Sequence, residues 1–346
     1  MKYKQLGRTD LLISLIGLGT MTWGRQNTQA EGFQQMDYAL EQGINFFDTA
    51  EMYAIPPTAE TYGSTETIIG NWFARNKNRQ QVILASKIAG PGLPWIRDGH
   101  SVIDKNNIMA AVDSSLRRLQ TDYIDLYQLH WPNRGSYHFG EIWQYAPQAN
   151  KQALEKNFIE VLETLNELII AGKIRHIGLS NETAWATSKY LELSEKHSLP
   201  RIVSMQNEYS LLCRHFEPDL SEIALQEDCG LLAWSPLTRG MISGKYLNGA
   251  VPAGSRLSLD MRREHRLSPQ TDAAIEAYIK LAKEHQLDVC QMALAFVNQQ
   301  AFVSSTLIGA TNMQQLKSNI DAIKLDLSDE LLSEINALRR RYPMPF

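Results

Sequence analysis

The chain has 346 residues, 44% of them apolar and 21% charged, and a net charge of −4 at pH 7. That balance belongs to an ordinary globular protein and leaves no electrostatic case for binding nucleic acid or an anionic membrane. Three scattered cysteines, Cys213, Cys229 and Cys290, fit neither a disulfide framework nor a zinc site and point to a reducing cytoplasm.

The polar first ten residues carry no secretory apolar region, and no run approaches the roughly 20 apolar residues of a membrane span. Residues 3–6 and 11–14 flank Gly7-Arg8-Thr9-Asp10 as a β-hairpin ahead of the main fold. Strand and helix patterns then alternate to the end. Strands are predicted over 15–21, 44–47, 82–86, 123–129, 174–179, 202–205, 230–234 and 305–307. Helices are predicted over 31–42 (closed by Gly43), 66–75, 105–119, 157–171, 184–196, 220–227 and 269–300, the last broken near 287–288.

Short apolar strands each followed by a helix mean a parallel sheet. Eight such units predict a single-domain (β/α)8 TIM barrel over 1–346, class α/β, with a doubly wound sheet as the structural rival. Three long connections, 54–65, 133–156 and 237–268, all follow strands, so in a barrel they share its C-terminal face, where active sites are built.

The chemistry gathers at those strand ends. The buried run 44–47 stops at Asp48, and Tyr53 follows five residues later. A carboxylate at that lip is costly unless something needs it, the bland reading being a helix N-cap with Tyr53 as a rim aromatic. The next strand ends in Lys87 and the one after in His130-Trp131-Pro132. Singly, a strand-end lysine snorkels and a lone histidine is structural. Together, barrel closure points all four groups at one pocket. Tyrosine has an unperturbed pKa of about 10, which a neighbouring Lys87 ammonium is expected to lower. Asp48 would hold Lys87 charged, and His130 would donate to a substrate oxygen. A proton donor beside a polarised carbonyl meets the demands of carbonyl reduction.

Two other chemistries fail. Gly17-Leu18-Gly19 lacks the third glycine of a dinucleotide fingerprint, position 22 being Thr22. His130 has no His-x-His partner or carboxylate cluster at ligand spacing, so no metal is expected.

Asp48, Tyr53, Lys87 and His130, in that order and on those strands, resemble the tetrad of the aldo-keto reductase superfamily. The resemblance runs from about Tyr3 to Asp329 through GLGTMTWG (17–24), INFFDTAEMY (44–53), ASK (85–87), DYIDLYQLHWP (122–132), GKIRHIGLSNET (172–183), QNEYSLL (206–212), LAWSPLTRGMISGKY (232–246) and LIGATNMQQLKSN (307–319). Length and loop pattern are nearest to the tas-type bacterial reductases, with the potassium-channel β-subunits also related.

The resemblance implies a barrel that binds NADP(H) without a Rossmann domain and reduces aldehydes or ketones, with Tyr53 as general acid, Lys87 and Asp48 assisting, and His130 orienting the carbonyl. It places Ser180, Asn181 and Gln206 on the nicotinamide carboxamide, Trp234 against the nicotinamide ring, and Thr20 and Met21 on its other side. Ser235, Pro236, Leu237, Thr238, Arg239 and Gly240 would follow the pyrophosphate, and Lys245 and Arg256 would sit in a loop folded over the cofactor. Gly309, Ala310, Thr311, Gln315 and Asn319 would hold the adenosine end at a helix N-terminus, which favours phosphate. Where classical members carry a Lys and an Arg for the 2′-phosphate, this chain has Gly309 and Gln315; channel-type relatives bind NADP with similar residues, so NADP is expected over NAD. Trp23, Met52 and Trp131 near the lip suggest an apolar mouth for a small-molecule carbonyl, with core packing as the bland reading of each.

A second function shares these motifs: a cofactor-occupied regulatory subunit with negligible turnover, as the channel β-subunits are. The chain shows no extended N-terminal segment of the sort those subunits use, which weighs against it. Monomer is the default assembly for this barrel family.

Overall fold

The structure, a computed structural model, describes residues 1–259 and 266–346. A two-stranded antiparallel hairpin, β1 (Tyr3–Gln5) and β2 (Leu12–Ser14), precedes eight parallel strands closed into a barrel. These are β3 (Ile16–Gly19), β4 (Phe46–Asp48), β5 (Ile83–Ile88), β6 (Ile124–Leu129), β7 (Ile174–Ser180), β8 (Ile202–Gln206), β9 (Gly230–Ala233) and β10 (Val303–Ile308), which closes on β3. The sheet is the closed (β/α)8 form, and the doubly wound alternative is excluded.

Helices α1 (Gln29–Glu41), α2 (Ser64–Asn76), α3 (Lys105–Leu119), α4 (Lys151–Ile170), α5 (Ala184–Lys196) and α6 (Leu220–Gln226) cover the first strands; the short α7 (Arg256–Leu259) follows β9. The ring is completed by α8 (Pro269–Glu284), α9 (Val289–Asn298), α10 (Met313–Asp321) and α11 (Asp329–Arg341). Local chemistry sets their starts. Thr28 and Glu31 form a capping box on α1, Ser268 caps α8 with Pro269 behind it, and Asp288 caps α9, breaking what a continuous periodicity would have joined. Helix α4 begins at Lys151, ahead of its first buried residue, Phe158: among residues 151–156 only Leu154 packs against the core and the rest are mostly exposed, so the apolar stripe is too thin there to reveal them.

Inside the barrel, Phe46, Ala85, Leu126, Val203, Leu232 and Leu307 form one apolar cluster with Leu6 and Ile13 of the hairpin, which thereby plugs the N-terminal end. Gly7 has φ +56°, and a side chain there would meet the Val203 carbonyl oxygen at 2.7 Å, so the hairpin turn can seat only with glycine. Two residues further along the same strands, the period of a pleated strand turns apolar into polar: Phe46 leads to Asp48, Ala85 to Lys87, and Leu126 to Gln128 and then His130. The register pairs Asp48 with Ala85 and Lys87 with Gln128, bringing these groups to one level at the C-terminal end.

Candidate active site

Each tetrad member comes from a different strand end or its loop. Asp48 is the last residue of β4; Lys87 lies inside β5, one residue from its end; His130 directly follows β6; Tyr53 sits in the loop after β4. Lys87 is fully buried and donates to Asp48 Oδ2 at 2.6 Å and to the Thr49 carbonyl at 2.7 Å. The other Asp48 oxygen accepts from Gln206 Nε2 at 2.7 Å and Gln128 Nε2 at 3.3 Å, so the buried carboxylate is fully satisfied. Lys87 Nζ stands 5.1 Å from the centre of the Tyr53 ring, whose edge meets His130 with centroids 5.7 Å apart. The four groups meet in one pocket.

Their electrostatics differ from expectation in one respect. Burial pushes the Tyr53 phenol above its ordinary value, and Asp48 adds to this; Lys87 and Arg256 pull down but do not prevail. The expected lowering by Lys87 is therefore present as a contribution and reversed in sum, because a phenolate in this pocket loses more hydration than one ammonium returns. Burial likewise pushes Lys87 down, but Asp48 and Tyr53 more than restore it, and the net shift is upward. Burial, then the Lys87 charge, hold His130 well below the usual histidine range, so its imidazole is neutral at pH 7. Its Nδ1 is buried without a hydrogen-bond partner.

The walls are apolar. Ala50, Met52, Tyr53, Ala89 and Ile96 form a buried cluster, edged by Met21, Ile55, Leu93, Trp95 and Trp131. Trp131 Nε1 donates to the Pro91 carbonyl at 3.0 Å, which fixes the indole against the loop after β5. Trp23 is not part of this mouth. It is fully buried in the main core under Gly32 of α1, with Nε1 donating to Gln35 at 3.0 Å, because the chain turns outward beyond β3 and the indole finds the helix layer. Met21 does reach the site, with Arg256 Nη1 3.2 Å from its sulfur, so the long loop after β9 folds across the lip.

Around the rest of the rim, Thr20 Oγ1 donates to the Asp48 carbonyl at 2.8 Å. Ser180 donates to the Gln206 carbonyl, and Asn181 bridges Ser180, the His130 carbonyl and Trp234 Nε1. Trp234 is thus held edge-on by Asn181, with Phe139 stacked 5.9 Å from it. Beyond Trp234 the backbone takes positive φ at Ser235 and, past Pro236, again at Thr238, Arg239 and Gly240, a nest-like path suited to an anion, and Lys245 lies against Gly240. Leu237 leads into this curl. Beyond β10, Gln315 accepts from the Thr311 amide and hydroxyl, and Asn319 Nδ2 donates to the Gly309 carbonyl beside the buried Ala310. Residues 260–265 of the 237–268 connection lie outside the described residues.

Three contributors escaped the sequence reading. Gln128 lies two residues before His130 on the same strand, so its polarity at an inward position was a usable signal. Glu51 and Arg97 sit in loops without periodicity, and only the fold brings them together at 2.7 Å. Among the described residues no group of three or more His, Cys, Asp or Glu side chains could hold a metal ion, and no helix is long and apolar enough to cross a membrane.

The chain is similar over its whole length to known proteins. The chain is 48% identical to Protein tas of Escherichia coli, over 100% of this chain and 99% of that protein. It is 34% identical to the uncharacterized oxidoreductase YrpG of Bacillus subtilis, over 97% of this chain and 95% of that one. Norsolorinic acid reductase B of Aspergillus parasiticus is 27% identical over 99% of this chain and 84% of its own length. The profile of the Aldo/keto reductase family matches residues 15–340. With the barrel, the strand-end tetrad and this full-length similarity, the chain belongs to the aldo/keto reductase family of oxidoreductases.

Proposed function

We propose that this protein reduces aldehyde or ketone carbonyls to alcohols with NADP(H), with Tyr53 as the proton donor. The observation that carries the reading is the fully buried Lys87–Asp48 pair set behind Tyr53, with a neutral His130 at its edge. A nicotinamide, when bound, supplies the hydride to the carbonyl carbon. Tyr53 Oη gives its proton to the carbonyl oxygen as the negative charge develops there, and its raised pKa keeps that proton in place through the neutral range. The Lys87 ammonium stabilises the phenolate left behind, and Asp48 keeps that ammonium charged and aimed. His130 orients the carbonyl through a ring N–H, as a neutral imidazole can.

The donor set suits a dinucleotide. Gln206 spends its amide nitrogen on Asp48 and Gln128, which leaves its oxygen for a carboxamide N–H. The left-handed residues 235 and 238–240 and Lys245 suit a pyrophosphate, and Lys245 and Arg256 supply positive charge for a 2′-phosphate, which favours NADP over NAD. The free thiols of Cys213, Cys229 and Cys290 fit a reducing cytoplasm; a small-molecule carbonyl substrate and a monomeric state are what the family resemblance implies.

The test is NADPH oxidation with a panel of aldehydes, ketones and dicarbonyls in wild type and Tyr53→Phe, beside a fluorescence titration of NADPH. Turnover falling about 10²–10⁴-fold with binding kept supports the reading. Comparable turnover in the variant removes Tyr53 from the role. Tight binding without turnover on any substrate would instead favour the regulatory-subunit reading.

A further inference from the structure

Glu51 lies three residues after Asp48 and two before Tyr53, and its side chain is fully buried. Its carboxylate accepts four hydrogen bonds from three separate segments. Oε1 takes the Ala89 amide at 2.7 Å and Arg97 Nη2 at 3.0 Å; Oε2 takes Arg97 Nη1 at 2.7 Å and the Tyr62 hydroxyl at 2.8 Å. Its own backbone N–H donates to the Lys87 carbonyl at 3.2 Å. The segment bearing Tyr53 is thus fastened to Lys87 itself through the main chain and to residue 89, just beyond it, through the carboxylate. Arg97 holds the opposite side of the carboxylate from a loop whose Leu93, Trp95 and Ile96 wall the pocket. Arg97 and Asp98 have φ of +50° and +55°, a conformation uncommon for residues with side chains, which the bidentate pair helps to hold.

We propose that Glu51 is a positioning residue: it sets the spacing between the Tyr53 hydroxyl and the Lys87 ammonium, and couples the apolar pocket wall to that same point. The inference rests on the reading of Tyr53 as proton donor. A buried ion pair alone does not distinguish positioning from stability, since the chain has others. Asp125, paired with Arg79 at 2.7 Å and Arg175 at 2.8 Å, is as buried and reaches no tetrad residue. Asp125 meets β5 only at the Leu84 amide, three residues before Lys87, whereas Glu51 binds the Lys87 carbonyl itself and the Ala89 amide, and is two residues from Tyr53.

The experiment compares Glu51→Gln, Arg97→Met, Arg97→Lys, Tyr53→Phe and Asp125→Asn in NADPH-dependent reduction of one small aldehyde, with NADPH titration and thermal unfolding. Glu51→Gln keeps an acceptor for Ala89 but removes the charge and the second oxygen that pair with Arg97 Nη1 and the Tyr62 hydroxyl. Its kcat is expected to fall about 10²-fold with KM and NADPH affinity little changed, because a small misplacement of donor and carbonyl costs that much. Arg97→Met is expected to reproduce the loss and Arg97→Lys to recover part of it. The Asp125→Asn control lowers Tm and leaves kcat and its pH profile at wild type. A Glu51→Gln protein with wild-type kcat and pH profile and only a lowered Tm overturns the proposal; should that variant not fold, Arg97→Met carries the same two outcomes. Tyr53→Phe separates the layers. If it turns over normally, the proton-donor reading itself falls; if it is dead beside an unimpaired Glu51→Gln, only the positioning role falls.

Discussion

Lys87 Nζ stands 2.6 Å from Asp48 Oδ2 with 0% of the lysine side chain and 4% of the aspartate side chain exposed. Removing one partner of such a pair leaves an unpaired buried charge, whereas replacing both with apolar groups of similar volume can be neutral. Lys87→Met is therefore expected to cost about 3–5 kcal/mol in urea unfolding. Lys87→Met combined with Asp48→Leu should regain most of that stability while turnover stays lost. A double variant that recovers turnover would show that the pair serves the fold alone.

The two titrating groups at the pocket shift in directions that widen the working pH range. On the proposed mechanism reduction needs Tyr53 protonated, and its pKa lies above the ordinary 10.0; it needs His130 neutral, and its pKa lies well below 6.5. The predicted kcat/KM profile is flat from pH 6.5 to 10, with the alkaline fall beyond that range. A fall centred near pH 7 would mean that a different acid delivers the proton.

Much of this site was legible, and the failures have a common cause. Strand ends are readable, because an apolar run that stops at Asp48, Lys87 or His130 marks both the lip and the direction of each side chain by parity. Residues past the strand end have no such parity. Met21 and Trp23 lie two and four residues beyond Gly19, at the same parity, yet the indole goes to the helix layer and the methionine to the pocket. Glu51 and Arg97 are 46 residues apart, and their pairing is a product of closure.

The two tryptophans should accordingly fail in different ways. Trp23→Ala removes a fully buried indole and its bond to Gln35, with an expected loss of about 3–5 kcal/mol and no change in substrate preference. Trp131→Ala alters the pocket edge, and is expected to change KM across a panel of carbonyls more than it changes Tm. Equal Tm losses with no change in KM would remove Trp131 from the substrate wall.

His138 gives the fold an acid limit apart from catalysis. Burial lowers its pKa from 6.5 to about 4, although its Nε2 meets the Glu182 carbonyl at 3.0 Å. The unfolded chain then binds the extra proton first, so this contribution is complete above pH 6.5 and is lost as pH falls towards 4. The expected loss from this one residue is about 3 kcal/mol across that window, from 1.36 kcal/mol per pKa unit. Unfolding at pH 7 and pH 4.5 in wild type and His138→Gln checks it: the variant should lose less on acidification.

Two charges in the loop after β9 offer a test of the proposed preference for NADP over NAD. Lys245 lies against Gly240, where a side chain on the glycine would meet Nζ at 2.8 Å, and Arg256 reaches Met21 at the lip. If these cations receive a 2′-phosphate, Lys245→Ala and Arg256→Ala each weaken NADPH binding and leave NADH binding nearly unchanged, since NADH lacks that group. A charge-assisted contact is worth about 1.5–3 kcal/mol, so NADPH affinity should fall about 10–150-fold per variant. The dependence on salt should also flatten, because screening acts on the lost charge. Equal losses for NADPH and NADH would assign the two residues to the shared pyrophosphate, and strictness for NADPH would then have to come from elsewhere on the rim.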